Sequence, residues 1–478
     1  MKANLLKWSA KLQSYLRIEV WILLFFLAGL ENMDRPPIDT HEWRQTLTIS
    51  ISKNFVDHPN ILYPRMDIGG ATEGIMATEF PIFNYFLAII YQIFGFHDWY
   101  GRLVNWALCC FSLLFLHRMI SRSFSNGTAN IAILVFCSSI VFQYARKTMP
   151  DAFALSIVSM GVYFVWAYLS NGKYKALFGG SILVLLGILS KIPFSVLCVF
   201  LIFPFWDSTI PQIRKVKVVG VFVVIGIIVA LWYFYWMPHL LTNFGNQLIW
   251  PFSIREGYDI VFGTHRSQTW ERFEFTAFKN YWVFIFSAFG LAALLLSRKK
   301  EWITFWVLFS LVFIFFMVKT GIVFPTHDYY VMPYCVVMAI LVAIFFDQLP
   351  ISTLIKYVCI LVLIVPGLKF NKQASFDPPE NKYLLSLGEI VHQVCTRPGK
   401  LMINSGAFNP THMYFAGRKG WTVNDDVLSK VEWMNDFRRD GLEYIIQDLK
   451  ISKAELPYPL IYENEHFRIF DMKNEKRD

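Results

Sequence analysis

The sequence predicts a polytopic α-helical membrane protein of about eleven spans, ending in a small α/β domain. Three observations carry that prediction. Over 478 residues the chain is 55% hydrophobic and only 17% charged, with a mean hydropathy of +0.42, too apolar for a soluble protein of this length. Its basic residues gather in short intervals between apolar runs, the pattern of cytoplasmic loops, so the formal charge of +9 points to membrane flanks and not to nucleic acid. Beyond residue 368 the long apolar runs stop, and short strand-like and helix-like stretches alternate.

Each element follows in order. Lys2, Lys7, Lys11 and Arg17 precede the apolar run 18–30, and no small-residue cleavage site follows it. It reads as an uncleaved first span with the N-terminus inside. The polar interval 34–100 is then a long first extracytoplasmic loop. Within it, 80–96 is apolar and aromatic, bracketed by Pro81 and Gly95, and reads as an interfacial helix or re-entrant segment. Spans follow at 103–116, 128–144 and 153–169. The outer turn between the last two carries Arg146, Lys147 and Asp151, positive charge where the inside rule disfavours it. Runs 176–189 and 194–205 are short for a crossing and flank Lys191.

After a span at 218–236 comes the second long loop, 238–279, with Trp250, Pro251, Arg255, Glu256, His265 and Arg266. Those residues read either as a lid or as a solvated face. The last four spans are 281–296, 302–318, 331–346 and 353–368, and the outer turn 319–330 ends in His327-Asp328-Tyr329-Tyr330. An odd span count places the C-terminus outside. The sequence therefore divides into a membrane domain, 1–368, and an extracytoplasmic α/β domain, 369–478, with strands at 401–403, 444–446, 460–462 and 467–470 and helices at 381–395 and 427–439. Of seven cysteines only Cys395 lies in a polar region, which argues against a disulfide framework or a zinc site.

The candidate chemistry clusters in the first loop. Asp39-Thr40-His41-Glu42-Trp43-Arg44-Gln45 sets two carboxylates beside a histidine and an arginine, and Glu79-Phe80-Pro81 follows later in the same interval. Charges next to hydrocarbon are costly and face cavities or partners. The proposed topology puts Asp39, His41, Glu42, Arg44, Glu79, Arg146, Lys147, Asp151, Lys191 and His327 on one side, so they are expected to line one outward-facing polar cavity. The competing reading makes Glu42 and Asp39 caps of a helix beginning near Thr40, Glu79 and Asp151 helix-start charges, and Lys191 a snorkelling side chain.

These residues resemble the GT-C glycosyltransferases. The first-loop acids after the first span, the Glu-x-Pro element, the polytopic core and the C-terminal domain are similar to the bacterial group of protein O-mannosyltransferases and the lipid A aminoarabinose transferase. Two departures stand out: His41 occupies a place where relatives have aspartate, and Phe80 one where they have lysine. The resemblance implies an enzyme of the bacterial inner membrane that transfers a sugar from a polyprenyl-phosphate donor to a glycan, lipid-linked saccharide or protein. It implies Asp39 or Glu42 as general base, with Arg44, Arg146, Lys147, Lys191 and His327 as partners of the donor phosphate. No cofactor is required with certainty; a Mg²⁺ or Mn²⁺ ion on Glu79 and Asp151 stays open. A polytopic transporter or flippase of lipid-linked or small polar substrates is the alternative class, since it too buries polar residues among many spans.

Overall fold

Each apolar run named as a span contains helix: Ile18–Ala28, Tyr100–Ser123, Asn126–Cys137, Pro150–Asn171, Tyr174–Ser190, a tight 3₁₀ run Ile192–Leu201 continuing into Ile202–Trp206, Gln212–Leu231, Tyr281–Leu296, Lys300–Thr320, Met332–Gln348 and Thr353–Gln373. The structure is a computed structural model that describes residues 17–246, 248, 252–374, 376 and 378–473. Lys2, Lys7, Lys11, Trp250 and Pro251 lie outside the described residues. Among those described, six helices are long and apolar enough to cross a membrane, or seven if Arg266–Thr276 and Tyr281–Leu296, bent by 91°, form one span. Ile18–Ala28, Asn126–Cys137, Tyr174–Ser190 and Ile192–Trp206 are apolar but shorter. By these helices the protein is an integral membrane protein.

The chain divides into two compact units. The first draws its described residues from Met1–Met33, Arg102–Trp232 and Trp250–Ser375, the second from Asp34–Gly101, Tyr233–Ile249 and Phe376–Asp478. In the first unit small residues let helices approach, as expected where lipid removes the hydrophobic drive for association. A Cβ on Gly161 would stand 2.8 Å from the Gly180 carbonyl oxygen, and one on Gly290 only 1.8 Å from that of Leu341. The Trp106 ring fills the space over Gly29, and its Nε1 donates to the Phe26 carbonyl at 2.9 Å.

The second unit is built on a five-stranded sheet: β1 Lys400–Ile403, β2 Gly420–Thr422, β3 Leu442–Asp448, β4 Leu460–Glu463 and β5 Phe467–Asp471, in the order β2-β1-β3-β5-β4. β1 pairs in parallel with β2 and β3, whereas β5 pairs antiparallel with β3 and β4. Strand alternation sends Leu401, Ile403, Tyr444, Ile446 and Ile469 to one face and Met402, Ile445 and Phe470 to the other. Both faces are covered, and all of β3 is buried. What covers the first face is partly the first loop: Leu47, Ile51 and Phe55 of helix Glu42–Asp57 join that cluster.

This pairing moves the boundary that the sequence placed after residue 368. The interval 34–101 packs with the C-terminal segment because its helix supplies apolar area that the sheet needs. The expected interfacial segment 80–96 is helix Ile82–Phe94 and belongs to this unit. The second long loop also differs from expectation. From Ile254 to Thr276 it is almost wholly helical, with two π-helical stretches, and it starts at a capping box in which Ser253 and Glu256 satisfy each other's backbone amides.

Candidate functional site

In the second unit the first-loop motif surrounds one carboxylate. The helix begins at Glu42, with His41 as its N-cap residue in the left-handed region at φ 61° and no side-chain cap. Asp39 therefore does not cap the helix. Its carboxylate, 1% exposed, accepts from Arg35 through one oxygen and from the Gln45 side-chain amide through the other. A guanidinium four residues before and an amide six residues after thus hold it from both flanks and fix its direction.

Glu79 is held as firmly. One Arg44 nitrogen lies 2.9 Å from each of its oxygens, and the Thr78 hydroxyl donates to it at 2.9 Å. Arg44 is buried, and Glu79 is nearly so. The Glu-x-Pro element is thereby tied to the first-loop helix across 35 residues of chain. Glu42 is half-buried in the first turn of its helix, a position that the helix dipole favours for an acid without further role.

The first unit gathers the other candidates around three tyrosines. Lys147 is fully buried, and the turn that presents it is pinned by Asn105, whose Nδ2 donates to the carbonyls of Lys147 and Met149 at 2.8 and 2.7 Å. Its Nζ lies 6.0 Å from the Tyr144 ring, and the Tyr144 hydroxyl donates to Asp328. Arg146 donates to the Glu31 carbonyl. Asp151 sits in the first turn of Pro150–Asn171, after a proline at the helix start, and faces Lys191 at 3.9 Å. Both are buried, so Lys191 is a buried ion-pair partner and not a snorkelling side chain. Lys191 also lies 5.5 Å from the Tyr330 ring. His327 is half-buried, 3.0 Å from the Thr326 hydroxyl and 5.7 Å from the Tyr329 ring. Tyr329 in turn packs on Tyr144 and Tyr330, linking Lys147, Lys191 and His327 through one aromatic cluster.

Sequence reasoning passed over Arg35 and Tyr144, and it named Gln45 and Asp328 within their motifs without giving either a role. Arg35 was legible as the nearest cation before Asp39; Tyr144 had no local signal, and the partners of Gln45 and Asp328 could not be read from their motifs. It also passed over Arg102, 1% exposed near the start of an apolar helix, whose charge inside such a run was the available clue. Arg255, Glu256 and Arg266 are exposed, His265 half-buried, and nothing in their helix makes them a lid. Among the described residues no group of three or more His, Cys, Asp or Glu side chains is arranged to hold a metal. The two carboxylates named for a cation each already face one within their own unit, Glu79 toward Arg44 and Asp151 toward Lys191, a donor set that does not suit Mg²⁺ or Mn²⁺.

Comparison with known proteins agrees with the fold. Residues 78–236 match the family model described as dolichyl-phosphate-mannose-protein mannosyltransferase. No curated protein matches the chain in sequence. Among solved structures, ArnT from Cupriavidus metallidurans bound to undecaprenyl phosphate superposes with a TM-score of 0.59 at 12% identity, covering 94% of this chain and 97% of that one. The Archaeoglobus fulgidus oligosaccharyltransferase in complex with Zn and sulfate gives 0.58 at 11%, covering 93% and 72%. The archaeal oligosaccharyltransferase AglB from the same organism, in complex with an inhibitory peptide and a dolichol-phosphate, gives 0.51 at 11%, covering 92% and 73%. The chain has the GT-C fold that its motifs resemble.

Proposed function

We propose that the protein is an integral-membrane glycosyltransferase that moves a sugar from a polyprenyl-phosphate carrier to an acceptor hydroxyl on the extracytoplasmic face of a bacterial inner membrane, with Asp39 as general base. One observation carries the assignment of the base: a carboxylate that is buried, paired with Arg35 and held in direction by Gln45. The acceptor is a glycan, a lipid-linked saccharide or a protein.

The chemistry is a single displacement. The acceptor oxygen attacks the anomeric carbon, the bond from that carbon to the phosphate oxygen breaks, and its electron pair leaves with polyprenyl phosphate. The acceptor proton passes to Asp39. Phosphate departs without a general acid, so what remains is to stabilise its developing charge. Lys147, Arg146 and Lys191 are buried cations suited to that task, with His327 beside them through Tyr329 and Tyr330. Inversion at the anomeric carbon follows from one displacement. Arg44 and Glu79 hold each other and serve the motif's shape, and no step runs through a metal ion.

The decisive experiment follows polyprenyl phosphate released from a polyprenyl-phosphate sugar by the purified protein. Release that requires acceptor and disappears in Asp39→Asn supports the reading. Acceptor-independent movement of the intact donor across a bilayer, unchanged by that substitution, would replace it with the transporter class.

A further inference from the structure

The second unit contains a buried acid that the proposed reaction does not use. Asp448, the last residue of β3, is fully buried. One of its oxygens accepts from His412 Nε2 at 2.7 Å and from the Tyr383 hydroxyl at 2.6 Å. The other accepts from the Lys450 backbone amide at 2.8 Å, and the Asn404 side-chain carbonyl takes the Asp448 N–H at 2.6 Å. These bonds fasten the 3₁₀ turn Pro379–Ser386, which carries Tyr383, to the centre of the sheet.

Two residues before Tyr383 on that turn, Asn381 Nδ2 donates to the backbone carbonyl of Ile38 at 2.9 Å. Ile38 is fully buried. Its carbonyl and the Cα of Asp39 belong to one planar peptide unit, so a donor that fixes the oxygen also fixes the plane from which the Asp39 side chain departs. Two residues further on, His41 holds a left-handed backbone at φ 61°. For a residue other than glycine that conformation is strained by about 1 kcal/mol or more and persists where its surroundings over-determine it. The backbone from 38 to 41 is thus held by Asn381 at its start, while Arg35 and Gln45 hold the carboxylate between.

We infer that Asn381, anchored through Tyr383 to Asp448 and His412, is a positioning residue for the proposed transfer reaction, acting on Asp39 through the Ile38 carbonyl. The C-terminal segment is then part of the apparatus that aims the base. This rests on the reading of Asp39 as base and adds the element that orients it.

The test separates aim from assembly. Asn381→Ala, and Asn381→Asp, whose ionised carboxylate cannot donate to a carbonyl, should each lower kcat about tenfold or more while the KM for the polyprenyl-phosphate sugar stays at the wild-type value. Asn381→Gln keeps an amide donor and should recover part of the loss. Tyr383→Phe, which loosens the anchor without touching the Ile38 carbonyl, should lower kcat by less than Asn381→Ala and in the same direction. Wild-type kcat in Asn381→Ala and Asn381→Asp overturns the inference, as does a glutamine variant no better than alanine, or a loss confined to KM. If Asn381→Ala fails to fold, wild-type kcat in Tyr383→Phe overturns it. Full turnover in Asp39→Asn instead removes the base assignment itself; an inactive Asp39→Asn with wild-type Asn381 variants removes only the positioning role.

Discussion

The two units arrange charge in opposite ways. In the second, two first-loop carboxylates are each matched by a guanidinium from their own surroundings, Asp39 by Arg35 and Glu79 by Arg44. In the first, the candidate residues are weighted toward cations: Arg146, Lys147 and Lys191, with Asp151 facing Lys191, are set among tyrosine rings. A matched carboxylate has little net field but a fixed direction, which is what proton abstraction needs. A cluster weighted toward cations has a strong field, which is what a departing phosphate needs. On the proposed reading, the difference teaches that aim and attraction are supplied by separate sets of residues, each held within its own unit.

The largest expected effect breaks the aiming half. Asp39→Asn keeps the shape and the contact with Arg35 but removes the proton acceptor, and turnover should fall by about 10²–10⁴-fold. Glu42→Gln, at a helix start that the dipole already accounts for, should cost less than about tenfold. Equal losses in the two variants would erase the distinction between them. Both are read as polyprenyl phosphate released at saturating donor.

A smaller effect probes the attracting half. Lys191→Met removes a buried positive charge beside Asp151. Loss of one charge-assisted contact to the departing phosphate is worth about 1.5–3 kcal/mol, so kcat should fall roughly 10- to 100-fold, with the donor KM less affected. A variant that raises the donor KM at unchanged kcat would instead make Lys191 a ground-state binder of the donor and not a stabiliser of the departing phosphate.

The fold was legible wherever the signal was local. Hydropathy located the apolar helices, and short strand-like runs located four of the five strands. β2 escaped because Gly420-Trp421-Thr422 carries a single large apolar residue, and it is secured by partners far away in sequence, β1 and the bridge from Ile68. The same reason hid the grouping of the first loop with the C-terminal segment: Leu47 and Ile51 meet Leu401 and Ile446 only in three dimensions. At the site, residue types and loop position singled out Asp39 and Glu79. Which cation serves which acid was invisible, because Arg44 bridges to Glu79 over 35 positions and Asn381 reaches Ile38 over 343.

Packing offers a third contrast. Helices Tyr281–Leu296 and Met332–Gln348 touch through Gly290, where an added Cβ would stand 1.8 Å from a backbone oxygen. No side-chain rotation relieves that contact. Gly290→Ala should therefore separate the helices and lower stability by about 1–3 kcal/mol, read as a reduced Tm in detergent, while any enzyme that remains folded keeps its donor KM.

The smallest effect is a pH dependence confined to the second unit. Burial raises the pKa of Asp448, but hydrogen bonds from His412, Tyr383 and the Lys450 amide outweigh it and hold the carboxyl below its ordinary value of 3.8. A folded-state pKa below the unfolded one means that the unfolded chain binds the proton more readily. The ionised carboxylate therefore contributes stability that is fully present above the ordinary carboxylate range. That contribution begins to fade as pH falls below about 4 and is gone once the pH passes the lower, folded-state pKa. Asp448→Asn cannot titrate. It should be less stable than the wild type at neutral pH, and the gap between the two should narrow as the pH falls through this window. Thermal unfolding followed across that range checks it; a gap that stays constant with pH would mean that Asp448 stabilises the sheet through shape and not through charge.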